Sequence, residues 1–531
     1  MKKSLIRILT TLIYSFILYY FILPPLNIHS MLFWIFIILI VLFYLFVSLC
    51  TMSVNKLESI INRRKVYDKM NSKLWISLFS AIFIIIFLIL IVNIINSPLF
   101  MSKSYYERIT ITDGDFNNDV ALVDFDKLAL LDKDSSQKLG DRVMGQMTDL
   151  VSQFDVSNLY TQINYKDTII RVTPLEYSGL IKYFTNRKNG VAGYITVNSV
   201  NGEANLVRLD KGMKYVPSAL FGEDLYRKLR FSYPNEIFGD ISFEIDEDGK
   251  PYWIAQTIKY KAVGLKKEVS GVVLFDPTDG SSVKYAVDDI PTWIDHVYSA
   301  ELIIEQVDDW GKYKNGFFNS MFGQKEVVMT TDGYNYLAMN DDVYLYTGIT
   351  SVVADESNIG FILTNLRTKE TKFYNVPGAE EYSAMASAEG QVQQMKYTST
   401  FPLIINLNDK PTYLMSLKDN AGLVKMYAFV DYSDYQKVVV TDSKDGIINA
   451  AQNYLGENVI TTNLKEETIK IESIATSVLD GTTYYYLKAN NKVYRASIKI
   501  NQNVLPFIKI DDIVKINYKE DTINEVVKIE Y

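Results

Sequence analysis

Three apolar runs within the first hundred residues limit what this chain can fold into more than any other feature. They cover residues 5–23, 31–52 and 74–95, and about 20 apolar residues let a helix cross the hydrocarbon core of a membrane. None contains an acidic residue, and the only charge within them is Arg7, near the start of the first run. The sequence therefore predicts a three-helix transmembrane anchor over residues 1–100.

Basic residues beside these runs predict a direction, because cytoplasmic flanks carry an excess of Lys and Arg. Lys2 and Lys3 precede the first run, the loop 24–30 has no Lys or Arg, and the loop 53–73 has six: Lys56, Arg63, Arg64, Lys65, Lys69 and Lys73. We therefore expect a multi-pass protein of the cell membrane with a cytoplasmic N-terminus and with residues 101–531 outside. A signal peptide is the alternative for the first run, but no small-residue cleavage site follows it.

The part beyond residue 100 is acidic. Residues 1–100 have nine Lys or Arg and two acids, a net charge of +7, so the whole-chain charge of −8 leaves −15 for the remainder. This charge argues against a nucleic-acid partner, because phosphate binding requires a basic surface. The single cysteine, Cys50, lies in the second apolar run. The acidic part must therefore be stabilised by its own core, without disulfides.

Short strand-like runs alternate with amphipathic stretches beyond residue 100, which predicts an α+β domain. Helices are expected at about 135–154, 174–187, 217–231, 292–310, 378–395 and 444–455. Two of them would begin with proline in the first turn, at Pro174 and Pro217. We expect an acidic linker and helix over 101–160, a repeated α+β region over 161–440 and a helical connector over 441–468.

A polar turn followed by an aromatic strand recurs within residues 161–440. The turns are separated by steps of 82, 84 and 76 residues and contain Asp167, Gly249, Gly333 and Asp409. Each is followed by a strand that begins with a glycine, at Gly193, Gly271, Gly360 and Gly422. Recurrence at such a step indicates repeated β-hairpin/helix modules.

Two resemblances follow from these segments. Gly249-Lys-Pro-Tyr-Trp-Ile and Gly271-Val-Val-Leu-Phe-Asp-Pro-Thr-Asp-Gly resemble the hairpin core of PepSY-type domains, which implies a small extracytoplasmic module that binds or restrains a partner. A tight turn between any two strands can produce the same pattern. The stretch 130–432, with Leu139-Gly-Asp-Arg, Tyr233-Pro and Ala379-Glu-Glu-Tyr-Ser, is similar to uncharacterised multi-pass-anchored extracytoplasmic membrane proteins of Gram-positive bacteria. That similarity implies no activity.

The C-terminal segment, 469–531, is predicted to be all β. Five short strand-like runs occur at 471–478, 484–488, 493–500, 513–518 and 526–529. Five strands in about 60 residues are typical of a small β-barrel of the OB-like kind.

Acidic residues directly after the third apolar run suggest a calcium loop. Positions one, three, five, seven and twelve of such a loop would be Asp113, Asp115, Asn117, Asp119 and Asp124, which matches the oxygen-ligand spacing for calcium. The loop departs from that pattern in having Asn118 where glycine is usual and aspartate rather than glutamate at the last position. A solvated acidic linker is the alternative, and the sequence predicts no cofactor other than this possible calcium ion.

Catalytic motifs are missing from the acidic part, whose only histidine is His296. The sequence contains no G-x-S-x-G, H-E-x-x-H or P-loop pattern. We therefore expect a non-enzymatic, membrane-anchored binding or scaffold protein of the cell envelope. Besides the lipid bilayer, its partner would be another envelope protein or a wall polymer. The alternative is a membrane-tethered cell-wall hydrolase whose catalytic carboxylates the sequence does not locate.

Overall fold

The N-terminal part of the protein consists of three long helices. A computed structural model describes residues 2–61, 72–352, 354–456, 459, 464–479, 482–520 and 523–531. Three helices there are long and apolar enough to cross a membrane, and their apolar spans agree with the predicted runs to within one residue. They are α1 (Lys2–Ile22), α2 (Met31–Ile61) and α3 (Ser72–Ile95). The basic positions between 62 and 71 lie outside the described residues, so the direction of the anchor stays a prediction.

The chain leaves α3 through a short helix, a strand and a helical turn. These are α4 (Pro98–Tyr106), β1 (Ile111–Asp113) and α5 (Phe116–Asp119). Mixed helix and sheet follow to the end of the chain, as the predicted α+β class requires.

Four successive sheets, named S1 to S4, share one layout in which four consecutive strands form an antiparallel meander. S1 contains β2 (Phe154–Val156), β3 (Thr161–Tyr165), β4 (Thr168–Tyr177), β5 (Val191–Asn198) and β6 (Ala204–Met213). S2 contains β7 (Ile237–Ile245), β8 (Pro251–Tyr260), β9 (Lys267–Phe275) and β10 (Ser282–Ala286). S3 contains β11 (Val328–Thr330), β12 (Asn335–Met339), β13 (Asp342–Ser351), β14 (Ala354–Asn365), β15 (Thr371–Tyr374) and β16 (Gly378–Ala379), with β1 parallel to β15. S4 contains β17 (Thr398–Ser399), β18 (Leu403–Leu407), β19 (Lys410–Lys418), β20 (Val424–Asp431) and β21 (Val438–Asp442).

The first strand of each meander is interrupted. In S1, S3 and S4 it is split into two short strands that pair with the same neighbour, and in S2 the register of β7 shifts between Phe238 and Ile241. The turn into the second strand has two residues with positive φ in three of the sheets, at Lys166-Asp167, Asn340-Asp341 and Asn408-Asp409. Such turns suit tight hairpins. The predicted turn at Gly333 is misplaced, because Gly333 lies in the interruption before β12.

Three glycines occupy equivalent places in the third strands of S1, S2 and S3. A Cβ added at Gly193, Gly271 or Gly360 would lie 2.1, 2.0 or 2.1 Å from a carbonyl oxygen of the adjacent fourth strand. Only glycine permits so close an approach of two backbones. The glycine-led strands of the sequence are therefore a packing requirement of the meander.

In the described part of the chain six helices connect or cover these sheets, and all six are shorter than predicted. They are α6 (Lys133–Gln146), α7 (Leu180–Asn186), α8 (Leu225–Ser232), α9 (Ala300–Tyr313), α10 (Glu381–Gln391) and α11 (Ile447–Leu455). The predicted helix 174–187 is wrong in its first half, because β4 runs through Pro174. Pro174 lies opposite the interruption between β2 and β3, where its missing N–H removes no ladder hydrogen bond.

The C-terminal strands form an open sheet, S5, with the order β22-β26-β27-β25-β24-β23. Its strands are β22 (Lys465–Lys470), β23 (Ser473–Leu479), β24 (Thr482–Ala489), β25 (Lys492–Ser497), β26 (Ile513–Lys519) and β27 (Asn524–Glu530). In the described part of the chain the two edge strands do not pair with each other. The structure therefore does not show the closed OB-like barrel that the sequence predicted over 469–531.

Neighbouring sheets share apolar cores. Successive residues of β8 face opposite ways, so that Trp253 enters a core between S1 and S2 and Ile254 enters a core with α9 and S3, as the alternation of a strand requires. S3 and S4 share a third core with α10 and α11, which contains Phe361 and Tyr413. S5 has a core of its own. The four meanders are thus packed in series.

S2 is the sheet that contacts the three N-terminal helices. The amide N–H of Leu26 donates to the carbonyl of Pro234, which follows α8, over 2.7 Å. Asn93 on α3 binds the turn between β8 and β9, because its amide donates to the Val263 carbonyl (3.0 Å) and accepts from the Val263 N–H (3.2 Å). The sheet-rich part therefore rests on the loop 24–30 and on the C-terminal end of α3.

A buried arginine joins the exit from the helices to S2 and α9. Arg108 Nη1 lies 2.7 Å from Glu305 and 2.5 Å from Asp309, and its Nη2 donates to the carbonyl of Lys267 over 2.8 Å. Its Nε lies 3.5 Å from Glu268. Because one buried guanidinium holds groups from two elements, this cluster fixes the position of α9 relative to S2.

Candidate functional site

A cavity of about 360 Å³ lies where S1, S3 and S4 meet. Its walls come from the loop before α6, from β4, from the start of β12 and from β19, and include Tyr160, Arg171, Tyr336, Phe401 and Ser416. S1 reaches S3 directly, since the Asn164 amide donates to Asp341 over 2.9 Å, and α6 reaches S4 through the 3.2 Å hydrogen bond from the Ser135 hydroxyl to the Gly422 carbonyl. The volume lies within the range of small-molecule sites in proteins, about 300 to 1,000 Å³.

Arg171 supplies the charge of this cavity. It lies on β4 and is only 7% exposed. Its Nε–H is buried and has no hydrogen-bond partner, and no carboxylate among the described residues forms an ion pair with it. Burial lowers the pKa of the guanidinium, whereas Tyr336 and Asp132 raise it. An arginine nevertheless stays protonated at physiological pH, so a positive charge is buried here without an ion pair among the described residues.

Other polar groups around the cavity are also short of partners. The hydroxyl of Tyr160 is buried and unpaired, and burial raises its pKa. Gln162, directly opposite Arg171 on β3, has a buried amide with no partner at either atom. Buried polar groups in proteins are nearly always hydrogen-bonded. This cluster thus has unused hydrogen-bonding capacity next to a positive charge.

The one carboxylate among the cavity's described lining residues, Asp132, is engaged elsewhere. It forms an ion pair with Lys418 and accepts a hydrogen bond from the N–H of Ser135 over 3.0 Å. Burial raises the pKa of Asp132, but these hydrogen bonds bring it below its usual value. The carboxylate is therefore ionised at neutral pH with its own cation, and the charge of Arg171 is left over.

The chemistry of this arrangement is that of anion recognition. A guanidinium presents planar N–H donors that match the oxygens of a carboxylate or a phosphate, and a phenol hydroxyl can add a further donor. At a side chain as buried as Arg171 such charge-assisted hydrogen bonds are stronger than in solution.

Comparison with models of protein families and with curated proteins finds no match for this chain. Function must therefore be argued from the geometry of the site.

The residues predicted as calcium ligands lie at the end of β1, within α5 and at two helix N-caps. Asp113 ends β1. Asp115 caps α5 by accepting from the N–H of Asn117 over 3.1 Å, and Asp119 accepts from the N–H of Asp115 over 3.0 Å and forms a 2.9 Å ion pair with the lysine of β15. Asp124 caps the next turn. Among the residues that the structure describes, no three His, Cys, Asp or Glu side chains are grouped as a metal site. The calcium loop stays a prediction.

His296 lies outside the cavity and has a structural contact. Its Nε2 is 2.6 Å from the carbonyl oxygen of Gln162, and its ring lies edge-on to Tyr336 with centroids 5.7 Å apart. Its neighbour Asp295 is buried and accepts from the N–H of Asn164 over 2.7 Å. Burial and the nearby Glu244 raise the pKa of Asp295 well above its usual value. These groups hold S1 to the segment before α9.

The sequence contains a signal for Arg171, which lies between the predicted turn at Asp167 and the predicted helix 174–187. Arg171 stands within Thr168-Ile-Ile-Arg-Val-Thr-Pro-Leu, a run of β-branched residues. Such a run is typical of a buried strand, and a charge within it requires a partner or a function. The other cavity residues carry no comparable signal.

Proposed function

We propose that this chain is a membrane-anchored, extracytoplasmic binding protein of the cell envelope, without enzymatic activity, and that its cavity takes an anionic group. The observation that carries the proposal is the buried Arg171 guanidinium, which has an unpaired Nε–H and no ion pair among the described residues. A buried charge of this kind costs stability unless it is paired. A protein can retain a destabilising buried charge where a ligand supplies the opposite charge.

The partner would carry carboxylate or phosphate groups. Peptide C-termini and acidic polymers of an envelope present such groups, so another envelope protein or a wall polymer fits this chemistry. The PepSY-like segments in S2 favour a role in binding or restraining a partner. A hydrolase that acts on glycans would need two carboxylates about 5 to 9 Å apart, whereas the cavity has one, and it is held in an ion pair.

The binding test uses the purified full-length chain in detergent, with acetate and inorganic phosphate as probes in titration calorimetry. We expect each probe to give a saturable heat of binding. This heat should be smaller when the other probe is already present, because both compete for one site, and R171Q should give no saturable heat. The matched control is R208Q, because Arg208 is exposed on β6 of the same sheet and pairs with Asp149. Binding by R171Q equal to that of the unchanged chain, or no saturable binding by the unchanged chain, would refute the site.

A second comparison separates a ligand-binding arginine from a structural one. Arg108 and Arg171 are both 7% exposed, but only Arg108 has carboxylate partners. Removing one member of a buried ion pair costs about 3 to 5 kcal/mol, so R108M should unfold at clearly lower denaturant concentration. R171M removes an unpaired buried charge, so without ligand it should be at least as stable as the unchanged chain. A large loss of stability in R171M would show that Arg171 is structural.

A further inference from the structure

Two exposed apolar clusters lie beside the end of the helical bundle that bears S2. The first, here named the α7–α8 patch, consists of Leu180, Ile181, Phe184, Phe221 and Phe231. The second, here named the Phe322 loop, consists of Phe318, Met321 and Phe322 in the segment after α9. Ile181 is 78% exposed and Phe322 is 81% exposed. Contiguous exposed apolar groups of this size mark interaction surfaces in folded proteins.

The α7–α8 patch continues directly from the end of α1. The ring of Phe231 lies 5.7 Å from that of Tyr19, and the guanidinium of Arg227 lies 4.2 Å from the ring centroid of Tyr20. Arg227 also donates to the carbonyl of Phe221 over 2.6 Å. The patch therefore lies at the depth of the last turn of a helix that is long and apolar enough to cross a bilayer.

The remaining side chains of the patch extend sideways from this contact. The ring of Phe184 on α7 lies 6.3 Å from that of Phe221, and Leu180 and Ile181 are exposed on the same short helix. Basic residues accompany them, since Lys182, Arg187 and Lys188 follow within the same segment. Apolar side chains next to Lys and Arg are typical of protein surfaces that lie in the headgroup region of a membrane.

The Phe322 loop is tied to the exit from α3. Gly316, at the start of this segment, lies against Ser102 of α4, and the rings of Tyr105 on α4 and Tyr313 on α9 are 5.8 Å apart. The hydroxyl of Tyr105 donates to the carbonyl of Asn96, at the end of α3, over 3.0 Å. α4 itself exposes Leu99 and Phe100. This second cluster thus lies beside the end of another candidate membrane span.

We propose that the α7–α8 patch and the Phe322 loop both insert into the lipid leaflet that surrounds the C-terminal ends of α1 and α3. Lipid is the occupant because the α7–α8 patch contacts the end of α1 directly, and because the Phe322 loop follows a segment that packs on α4, which leaves the end of α3 and exposes Leu99 and Phe100. The sheet-rich part then sits on the bilayer at two points besides its anchor. This inference is independent of the anion site and requires only that the three helices cross a membrane.

Site-directed spin labelling of the full chain in lipid nanodiscs, with one copy in each disc, tests this seating. Cys50 is the only cysteine, so C50S provides a background for single labels at I181C and F322C. The matched control is F507C, because Phe507 is 69% exposed but lies in the helical turn between β25 and β26 of S5. Collision rates with oxygen, which concentrates in lipid, and with a water-soluble nickel complex report the depth of each label.

We expect the ratio of oxygen to nickel collisions at positions 181 and 322 to be several-fold higher than at 507. A ratio at either position equal to that at 507 would overturn the proposal, because that cluster would then face water. Low collision rates with both reagents at either position would also overturn it, since they would indicate that protein rather than lipid covers the cluster. Each substituted residue is exposed, so the labels do not disturb a core.

Discussion

Replacing Asp309 by asparagine is expected to stabilise this protein at neutral pH, although the substitution removes an ion-pair partner of a buried arginine. Asp309 lies on α9, its side chain is 16% exposed, and its carboxylate is 2.5 Å from Arg108 Nη1. Burial raises its pKa from 3.8 to about 6 even though Arg108 lowers it. Repulsion from the neighbouring carboxylates of Glu305 and Asp308 also raises this pKa.

The size of the effect follows from the two pKa values of Asp309. Since the folded-state pKa is the higher one, the carboxyl contributes fully to stability below pH 3.8, and this contribution is lost as the pH rises through about 6. A pKa difference of about 2 corresponds to about 3 kcal/mol. D309N stays neutral at every pH, so it should be more stable than the unchanged chain by up to about 3 kcal/mol at pH 8. The advantage should fall to about 1 kcal/mol at pH 4.5.

Urea unfolding of the full chain in detergent at these two pH values measures this difference, and Trp310 beside the substituted position contributes to the fluorescence signal. The control is E305Q, because Glu305 also binds Arg108 but its side chain is 54% exposed, and exposed pairs contribute about 0 to 1 kcal/mol. If D309N were less stable at pH 8, the attraction of Arg108 would outweigh the cost of burial. An advantage of equal size at both pH values would show that the carboxyl does not titrate in this range.

Three further substitutions test the meander, its contact with the helices and the cavity. G360A places a carbon 2.1 Å from a backbone carbonyl oxygen and should lower the free energy of unfolding by about 1 to 3 kcal/mol, whereas G390A meets no atom within 4 Å and should not lower it. N93L removes both hydrogen bonds to Val263, so amide exchange at Val263 should become faster; unchanged exchange would refute that contact. G140A places a carbon 2.1 Å from the hydroxyl of the cavity tyrosine at position 160 and should weaken acetate binding in calorimetry, and unchanged affinity would show that this hydroxyl does not take part.

The membrane spans could be predicted to within one residue because hydropathy is a local property that tertiary contacts do not change. The repeat was also detectable, since the turns at Asp167 and Asp409 have side chains that tolerate positive φ. The third copy was misplaced because Asp332-Gly333 has the same composition as a hairpin turn but fills a strand interruption. Pro174 predicts a helix start, but it lies within β4. The neighbouring strand is interrupted opposite Pro174, so the sheet accommodates a residue without an N–H. The sequence around Pro174 contains no information about an interruption in the neighbouring strand.

The cavity could not be predicted, because it is built from three sheets that are distant in sequence. Tyr336 and Ser416 read as ordinary strand residues, and only their approach to Arg171 gives them a shared role. The sequence instead predicts a calcium loop at the acidic residues after α3, because residues close in sequence there match the spacing of calcium ligands. Their side chains form caps and an ion pair with β15. Residue spacing can predict a site whose ligands lie in one segment. It cannot predict a site whose residues come from segments that are distant in sequence and meet only in the folded protein.

The contacts between S2 and the loop 24–30 give the helices a mechanical role that a simple anchor lacks. A domain that hangs from one helix can swing and rotate about its linker. Here the sheet-rich part is held by Leu26 in the loop between α1 and α2 and by Asn93 on α3, and Arg108 ties the segment after α4 to S2 and α9. A force applied to S5, the last sheet along the chain, would therefore be transmitted through S4, S3 and S2 to the three helices. Deleting residues 1–73 would remove the Leu26 contact and leave α3 alone to hold S2 through Asn93.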